Sequence, residues 1–171
     1  MPHLARVWKF GNDIDTDQMV PGRYAPIVTG DDNTGKYCFI ERRPEFAREV
    51  KAGDIIVAGK NFGCGSSREY AAVAIKQSGI AAIIVESVAR IFFRNAINLG
   101  IPVFEDAAVA RALADGESVM FDLNQGIIQR EDTVLRLTPP APFIQAIVRE
   151  GGIVPYYLKY KRFPTDDVGR V

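Results

Sequence analysis

The chain has 171 residues, of which 47% are apolar and 25% are charged, a composition typical of one soluble domain with a full-sized core. Its formal net charge is zero, so nothing in the sequence favours a nucleic acid or an anionic membrane as partner. No apolar run reaches the roughly 20 residues of a membrane span, and residues 1–15 lack the layout of a secretory signal, so we expect a cytoplasmic protein.

Histidine and cysteine are too scarce to build a metal centre. The chain contains one histidine, His3, and two cysteines, Cys38 and Cys64, that lie far apart in the sequence. A zinc site needs about four ligands, and a cysteine-bound iron–sulfur cluster usually needs about three or four. We therefore expect no metal site, no disulfide framework and no cofactor in this chain alone.

The first third of the chain mixes short regular elements with turn-rich segments. Residues 6–10 contain Val, Trp and Phe and predict a strand, which residues 11–13 end with Gly, Asn and Asp. Residues 24–36 are rich in Gly, Asp, Asn and Thr, which predicts a loop. A helix is expected over residues 41–49, around Phe46.

The middle of the chain predicts a strand–helix–strand unit. Residues 54–58 and 81–85 are apolar runs expected of strands covered on both faces. Residues 67–77 between them have helical spacing, and Ser66 precedes Glu69 by the three residues of a capping box. This order of elements predicts a right-handed parallel crossover.

The pattern continues to the C-terminus. The further expected elements are a helix over 88–99 capped by Ser87, a strand over 101–104, a helix over 106–114, a hairpin of 118–123 and 127–129, a strand over 133–137 and a helix from Pro142 to about 149. No linker divides the chain. The sequence therefore predicts a single α/β domain over residues 1–171, with a mixed sheet, parallel crossovers and a C-terminal tail over about residues 162–171.

Residues 59–69, Gly-Lys-Asn-Phe-Gly-Cys-Gly-Ser-Ser-Arg-Glu, join a predicted strand to a predicted helix. Helix starts expose N–H groups that attract anions, and the glycines beside Cys64 let a ligand approach the backbone. Ser66 and Ser67 add hydroxyls, and Arg68 adds a guanidinium that binds a carboxylate through two hydrogen bonds. The segment is either a carboxylate or phosphate cradle or an ordinary helix cap, and the residues alone favour neither.

Several separate segments together resemble a known family. The loop above is preceded by Asp-Thr-Asp-Gln at residues 15–18 and Pro-Gly-Arg-Tyr at 21–24, and followed by Ala-Arg-Ile-Phe-Phe-Arg-Asn at 89–95 and Gly-Gly-Ile-Val at 151–154. In this order the segments resemble the small subunit of 3-isopropylmalate dehydratase, which is equivalent to the swivelling domain of aconitase. The resemblance covers about Val7 to Lys161 and implies a swivelling β/β/α domain.

The resemblance implies a role for each matching residue. Ser66 corresponds to the serine that removes a proton from the carbon next to a carboxylate, and is the implied catalytic residue. Arg23 lies near the position of a substrate arginine, and Asp17 matches an aspartate of the active-site network. The implied substrate-binding residues are Gly65, Ser67, Arg68, Asp17 and Arg23.

The resemblance also places a substrate-specificity loop after the Pro-x-x-Tyr segment. An apolar tract after Tyr-Leu is implied for isopropylmalate and an arginine for homoaconitate, but this chain has Tyr24, Ala25, Pro26, Ile27 and Val28. These apolar side chains suit an alkyl group. We therefore expect 3-isopropylmalate as substrate, with dehydratases of dimethylmalate, methylmalate or homoaconitate as alternatives.

The implied enzyme is a hydro-lyase of leucine biosynthesis that is active only with a large subunit. That subunit would carry a [4Fe–4S] cluster and form a heterodimer or heterotetramer with this chain, which on its own is expected to self-associate. A non-catalytic anion-binding module is a remote alternative.

Plain structural roles are expected for other polar residues near these motifs. We expect Asp13 and Asp15 to be turn and cap residues, and Cys64 to be a small packed side chain. Arg90 and Arg94, one helical turn apart, are either surface residues or partner contacts.

Overall fold

A seven-stranded mixed sheet forms the centre of the computed structural model, which describes residues 1–24 and 34–165. The strands are β1 (His3–Lys9), β2 (Ile55–Ala58), β3 (Ala82–Val85), β4 (Val103–Glu105), β5 (Ser118–Asp122), β6 (Ile127–Arg130) and β7 (Thr133–Arg136). The helices are α1 (Thr16–Met19), α2 (Pro44–Glu49), α3 (Tyr70–Gln77), α4 (Arg90–Asn98), α5 (Ala107–Ala112), α6 (Pro142–Arg149) and α7 (Ile153–Tyr160). Short 3-10 turns occupy Gly22–Tyr24 and Thr34–Tyr37.

The sheet has a parallel half and an antiparallel half that meet at β1. Its strand order is β4-β3-β2-β1-β5-β6-β7. The first four strands in this order are mutually parallel, and β1, β5, β6 and β7 pair antiparallel. The predicted α/β fold with a mixed sheet, a parallel β2–α3–β3 unit and a C-terminal hairpin is confirmed.

Both faces of the parallel half are covered, as the continuous apolar runs predict. All four residues of β2 are buried, and so are all four of β3. Ile56 and Ala58 of β2 belong to one apolar cluster with Trp8 and Phe62, whereas Ile55 and Val57 belong to another that includes Phe121. The alternation along β2 therefore supplies two cores.

Three helix starts predicted from the sequence are wrong. Helix α2 begins at Pro44 rather than at residue 41. Helix α3 begins at Tyr70 rather than at residue 67, and Glu69 at its N-cap makes no side-chain cap. Helix α4 begins at Arg90 without a side-chain cap, and the Ser87 hydroxyl instead accepts a hydrogen bond from Asn61 N at 2.8 Å. The capping box expected for Ser66 and the cap expected for Ser87 are therefore not formed, because both side chains are used by the neighbouring loop.

Helix α7 was not predicted, because Gly151 and Gly152 are typical of a helix end. Glycine is needed at these positions because the backbone around Gly151 and Gly152 passes close to the backbone at the end of α4. A Cβ at Gly100 would lie 2.3 Å from the carbonyl carbon of Gly151, and one at Gly152 would lie 2.4 Å from Asn98 O. The glycines thus join the end of α4 to the start of α7.

Two predicted segments lie partly outside the described residues. The loop predicted over residues 24–36 contains residues 25–33, and the predicted C-terminal tail contains residues 166–171. None of the helices in the described part of the chain is both long and apolar enough to cross a membrane.

Asp54 ties β1 to the turn that precedes β2. The carboxylate is 5% exposed, and its Oδ1 accepts from Arg6 N at 3.0 Å. Its Oδ2 accepts from Trp8 Nε1 and from Lys51 N, both at 2.9 Å. One buried side chain therefore satisfies three donors, two on β1 and one in the turn before β2.

We predict that Asp54→Ala lowers the free energy of unfolding by about 3 kcal/mol, because it leaves buried donors unpaired. Urea unfolding of the two proteins measures the difference. Asp132→Ala is the control, since Asp132 is exposed and makes no hydrogen bond within the described residues. A loss for Asp54→Ala no larger than for this control would contradict the assigned role.

Candidate active site

The three central motifs meet because each follows the carboxyl end of a parallel strand. Residues 10–18 follow β1, residues 59–69 follow β2 and residues 86–95 follow β3. These strands are adjacent and parallel, so their carboxyl ends lie on one edge of the sheet. This edge is where open α/β sheets bind ligands.

The loop between β2 and α3 is held against the start of α1. Gly63 N donates to Ile14 O at 2.7 Å, and Thr16 N donates to Cys64 O at 2.9 Å. The Thr16 hydroxyl accepts from Ser66 N at 3.0 Å and donates to Ser66 O at 3.4 Å. The Asp-Thr-Asp-Gln segment and the Gly-Cys-Gly-Ser-Ser-Arg segment, fifty residues apart, are therefore in direct contact.

The same loop is also held by α4. Phe62 packs edge-on against Phe92 with ring centroids 5.4 Å apart. Asn95 Nδ2 donates to Ser67 O at 3.1 Å. Gly63 has φ +80°, and a Cβ there would lie 2.2 Å from Phe92. The segment of residues 89–95 thus forms a second wall of the loop.

The loop presents hydrogen-bond donors that have no acceptor in the described part of the protein. The backbone N–H groups of Gly65 and Ser67 are unpaired there. The Ser66 hydroxyl accepts from Arg68 N at 3.3 Å, and the exposed Arg68 Nη1 donates to Tyr70 OH at 3.3 Å. A positive guanidinium, two free N–H groups and two hydroxyls form a cradle suited to a carboxylate.

The sequence predicted that N–H groups at the start of a helix would contact Ser66, and this prediction is wrong. Because α3 begins at Tyr70, Ser66 lies four residues ahead of the helix. Of the backbone N–H groups in the described residues, only Arg68 N donates to its hydroxyl. The N–H group that contacts the Ser66 hydroxyl therefore belongs to the loop and not to the helix.

The aspartates around α1 divide into structural and free groups. Asp15 caps α1 through a 2.7 Å hydrogen bond from Gln18 N to its Oδ1, and Asp13 accepts from Asn61 Nδ2 at 2.9 Å. The structure thus places both in the turn and cap roles expected of them. Asp17 is exposed in the first turn of α1, and its carboxylate has no partner in residues 1–24 and 34–165. It remains a candidate for the site.

The structure pairs Arg23 with Glu41 rather than with the Ser66 loop. The two side chains form a salt bridge, and the Arg23 guanidinium also lies 5.1 Å from the centroid of the Tyr24 ring. Tyr24 stacks on Tyr37 with centroids 5.2 Å apart. The remaining predicted specificity residues, Ala25, Pro26, Ile27 and Val28, lie outside the described residues.

Neither cysteine is poised for chemistry. Burial raises the pKa of the Cys64 thiol, and the negative charges of Asp15 and Asp13 raise it further. Burial also raises the pKa of Cys38. Both groups are therefore protonated thiols near neutral pH.

The donor set of this chain does not fit an iron–sulfur cluster. In the residues that the structure describes, no group of three or more His, Cys, Asp or Glu side chains is placed to hold a metal ion. Such a cluster needs about three or four cysteines, and this chain has only two.

Sequence reasoning did not assign three residues that shape the site. Thr16, Asn95 and Tyr70 contact Ser66, Ser67 and Arg68 respectively. Thr16 and Asn95 stand inside motifs that were noticed, but no local pattern shows which distant backbone group a hydroxyl or amide contacts.

We predict that Gly63→Ala destabilises the protein more than Gly116→Ala. Both glycines have positive φ, +80° and +74°, but only a Cβ at Gly63 meets other atoms, those of Phe92. The control should cost about 1 kcal/mol for its backbone conformation, and Gly63→Ala about 2 kcal/mol more for overpacking. Chemical unfolding measures both, and equal losses would contradict the Phe92 contact.

Comparison with known proteins is consistent with this geometry. Residues 12–105 match the family model described as the aconitase C-terminal domain. The chain is 51% identical over 161 residues to the homoaconitase small subunit of Thermus thermophilus, covering 94% of this chain and 99% of that protein. It is 41% identical over 166 residues to the 3-isopropylmalate dehydratase small subunit 1 of Deinococcus radiodurans, covering 97% and 93%.

A solved structure shares the fold. The 3-isopropylmalate dehydratase of Methanocaldococcus jannaschii superposes with a TM-score of 0.84 at 39% identity, covering 94% of this chain and 96% of that one. The family resemblance of the sequence motifs is therefore confirmed. This chain belongs to the aconitase C-terminal domain family.

Proposed function

We propose that this chain is the small subunit of a hydro-lyase that interconverts 2- and 3-isopropylmalate by dehydration and rehydration, a step of leucine biosynthesis. The observation that carries the proposal is the loop of residues 63–68, which α1 and α4 hold in place. Among the described residues, no carboxylate pairs with the N–H groups of this loop or with Arg68. Relatives named as the 3-isopropylmalate dehydratase small subunit match nearly the whole chain.

The substrate's carboxylate would bind in the cradle. Arg68 supplies a planar pair of donors, and the N–H groups of Gly65 and Ser67 supply two more. Tyr70 OH holds the Arg68 side chain, and Asn95 Nδ2 holds the Ser67 backbone. A carboxylate held in this way places the adjacent carbon near Ser66.

Ser66 would take the proton from that carbon. A serine alcohol is a weak base, so its alkoxide form must be stabilised by donors and positive charge. This chain contributes the backbone N–H of Arg68, whose N lies 3.3 Å from Ser66 Oγ. The electron pair of the broken C–H bond would form the carbon–carbon double bond as the substrate's hydroxyl leaves, and the proton would stay on Ser66 Oγ until rehydration returns it.

The partner in this proposal is a large subunit, because the relatives are named as small subunits. The [4Fe–4S] cluster implied by the family resemblance would belong to that partner, since the two cysteines here do not suit it. The chemistry assigned to this chain is limited to binding the carboxylate and holding the proton. Cytoplasmic localisation is part of the same proposal.

A homoaconitase small subunit is the second candidate function. The chain is 51% identical to one such protein and 48% identical to the methanogen homoaconitase small subunit of Methanothermobacter thermautotrophicus. A third carboxylate needs a cation, and Arg23 is already paired with Glu41. The apolar residues 25–28 favour an alkyl group. We therefore place isopropylmalate first, ahead of dimethyl- and methylmalate.

We predict that Ser66→Ala, assembled with the large subunit, lowers kcat for isopropylmalate by about 100-fold to 10,000-fold, because the proton acceptor is lost. Steady-state kinetics measure the change. Ser118→Ala is the matched control, since Ser118 lies exposed at the start of β5. Near-normal turnover by Ser66→Ala would remove Ser66 from the base role.

We predict that the complex prefers 3-isopropylmalate over homoaconitate by about 100-fold or more in kcat/KM, because a third carboxylate would stay unpaired. A panel that also contains dimethylmalate and methylmalate gives the ranking. A kcat/KM that is higher for homoaconitate than for 3-isopropylmalate would contradict this prediction and favour the homoaconitase function. The non-catalytic anion-binding module would be indicated by a different set of results. The isolated chain would bind a dicarboxylate tightly, Arg68→Ala would abolish that binding, and the complex would show no turnover.

A further inference from the structure

The Thr16 hydroxyl contacts both polar groups of the Ser66 backbone. It accepts from Ser66 N at 3.0 Å and lies 3.4 Å from Ser66 O, to which it donates. The side chain belongs to α1 and is 2% exposed. We propose that Thr16 is a positioning residue for Ser66, which fixes the place of the reactive hydroxyl without touching the substrate. The proposal rests on the hydro-lyase function proposed above.

Both side-chain contacts of Thr16 with the Ser66 backbone are made by its hydroxyl. At the start of a helix no preceding carbonyl of the same helix is available to a threonine hydroxyl, so a buried one must find a partner elsewhere. In the described residues its hydrogen-bonding partners are the two backbone groups of Ser66. The Thr16 backbone adds a third tie, from its N–H to Cys64 O at 2.9 Å.

The neighbouring backbone does not provide a substitute. The N–H groups of Gly65 and Ser67 have no acceptor in the described part of the chain, and Gly65 has φ +95°. The next anchor along the loop is the bond from Asn95 to Ser67 O. The backbone of Ser66 therefore depends on Thr16, whereas Ser67 and Arg68 keep their own ties to Asn95 and Tyr70.

This division predicts which kinetic constant changes. A shift of about 1 Å in a reacting group costs about 100-fold in rate, because the near-attack geometry is lost. Binding of the carboxylate by Arg68 and the loop N–H groups should be almost unchanged. Loss of the Thr16 hydroxyl should therefore lower kcat and leave KM nearly constant.

The test compares Thr16→Val, which removes the hydroxyl at constant shape, with Thr16→Ser, which keeps it, in the complex with the large subunit. We expect Thr16→Val to lower kcat by about 10-fold to 100-fold with KM within about twofold. Thr16→Ser should retain most of the activity. In a Ser66→Ala background Thr16→Val should cause no further loss, because both changes act through the same hydroxyl.

Hydrogen exchange of the isolated full-length variants gives a readout that is independent of activity. The amide of Ser66 should exchange faster in Thr16→Val than in Thr16→Ser, since its acceptor is missing. Complex formation with the large subunit and the unfolding midpoint establish that both variants are folded.

Three results would overturn the positioning role: normal kcat in Thr16→Val, equal losses in Thr16→Val and Thr16→Ser, or an undiminished effect of Thr16→Val in the Ser66→Ala background. Equal losses would indicate packing of the methyl group. Failure of the wild-type complex to turn over any malate would instead contradict the proposed function, which separates the two tests.

Discussion

The hydrogen bonds between α1 and the loop that follows β2 are the constraint on which the site depends. Thr16 and Ile14 on one segment bind Gly63, Cys64 and Ser66 on the other, and together they fix a turn that has no helix or strand of its own. Phe92 closes the space beside Gly63, so the turn has little room to move. Ser66, the proposed base, is held by this framework.

The topology of the sheet explains why these segments meet. β1, β2 and β3 are adjacent and parallel, and a polar or glycine-rich segment follows each of them on the same edge. Two buried clusters cover the faces of these strands and make the edge rigid. A rigid edge that presents hydrogen-bond donors at its surface is a common basis for a binding site. Among the described residues this edge supplies hydrogen-bond donors for a carboxylate and the hydroxyl of Ser66, and it holds no group of three or more His, Cys, Asp or Glu side chains placed to bind a metal ion.

The sequence predicted the sheet well where burial alone decides the structure. The runs at residues 54–58 and 81–85 are strands because both their faces are covered. It failed where contacts distant in sequence compete with local propensity. Residues 66–69 have the pattern of a capped helix, yet Thr16 and Asn95 hold Ser66 and Ser67 in a loop. Likewise, Gly151 and Gly152 are typical of a helix end, yet helix α7 begins directly after them.

The candidate site shows the same division. Ser66, Ser67 and Arg68 were proposed from residue type and order together with the family resemblance, because carboxylate chemistry needs hydroxyls, N–H groups and a guanidinium. The partnership of Arg23 with Glu41 and the contact of Thr16 with Ser66 were not found, because they join residues whose nearness follows only from the fold.

The most direct test of the account is the structure of this chain assembled with its large subunit and an alkylmalate. The account predicts a substrate carboxylate on Arg68 and the N–H groups of Gly65 and Ser67. It also predicts Ser66 Oγ within about 3.5 Å of the carbon that loses its proton. A substrate bound elsewhere, or one bound on this loop with Ser66 turned away from that carbon, would contradict it.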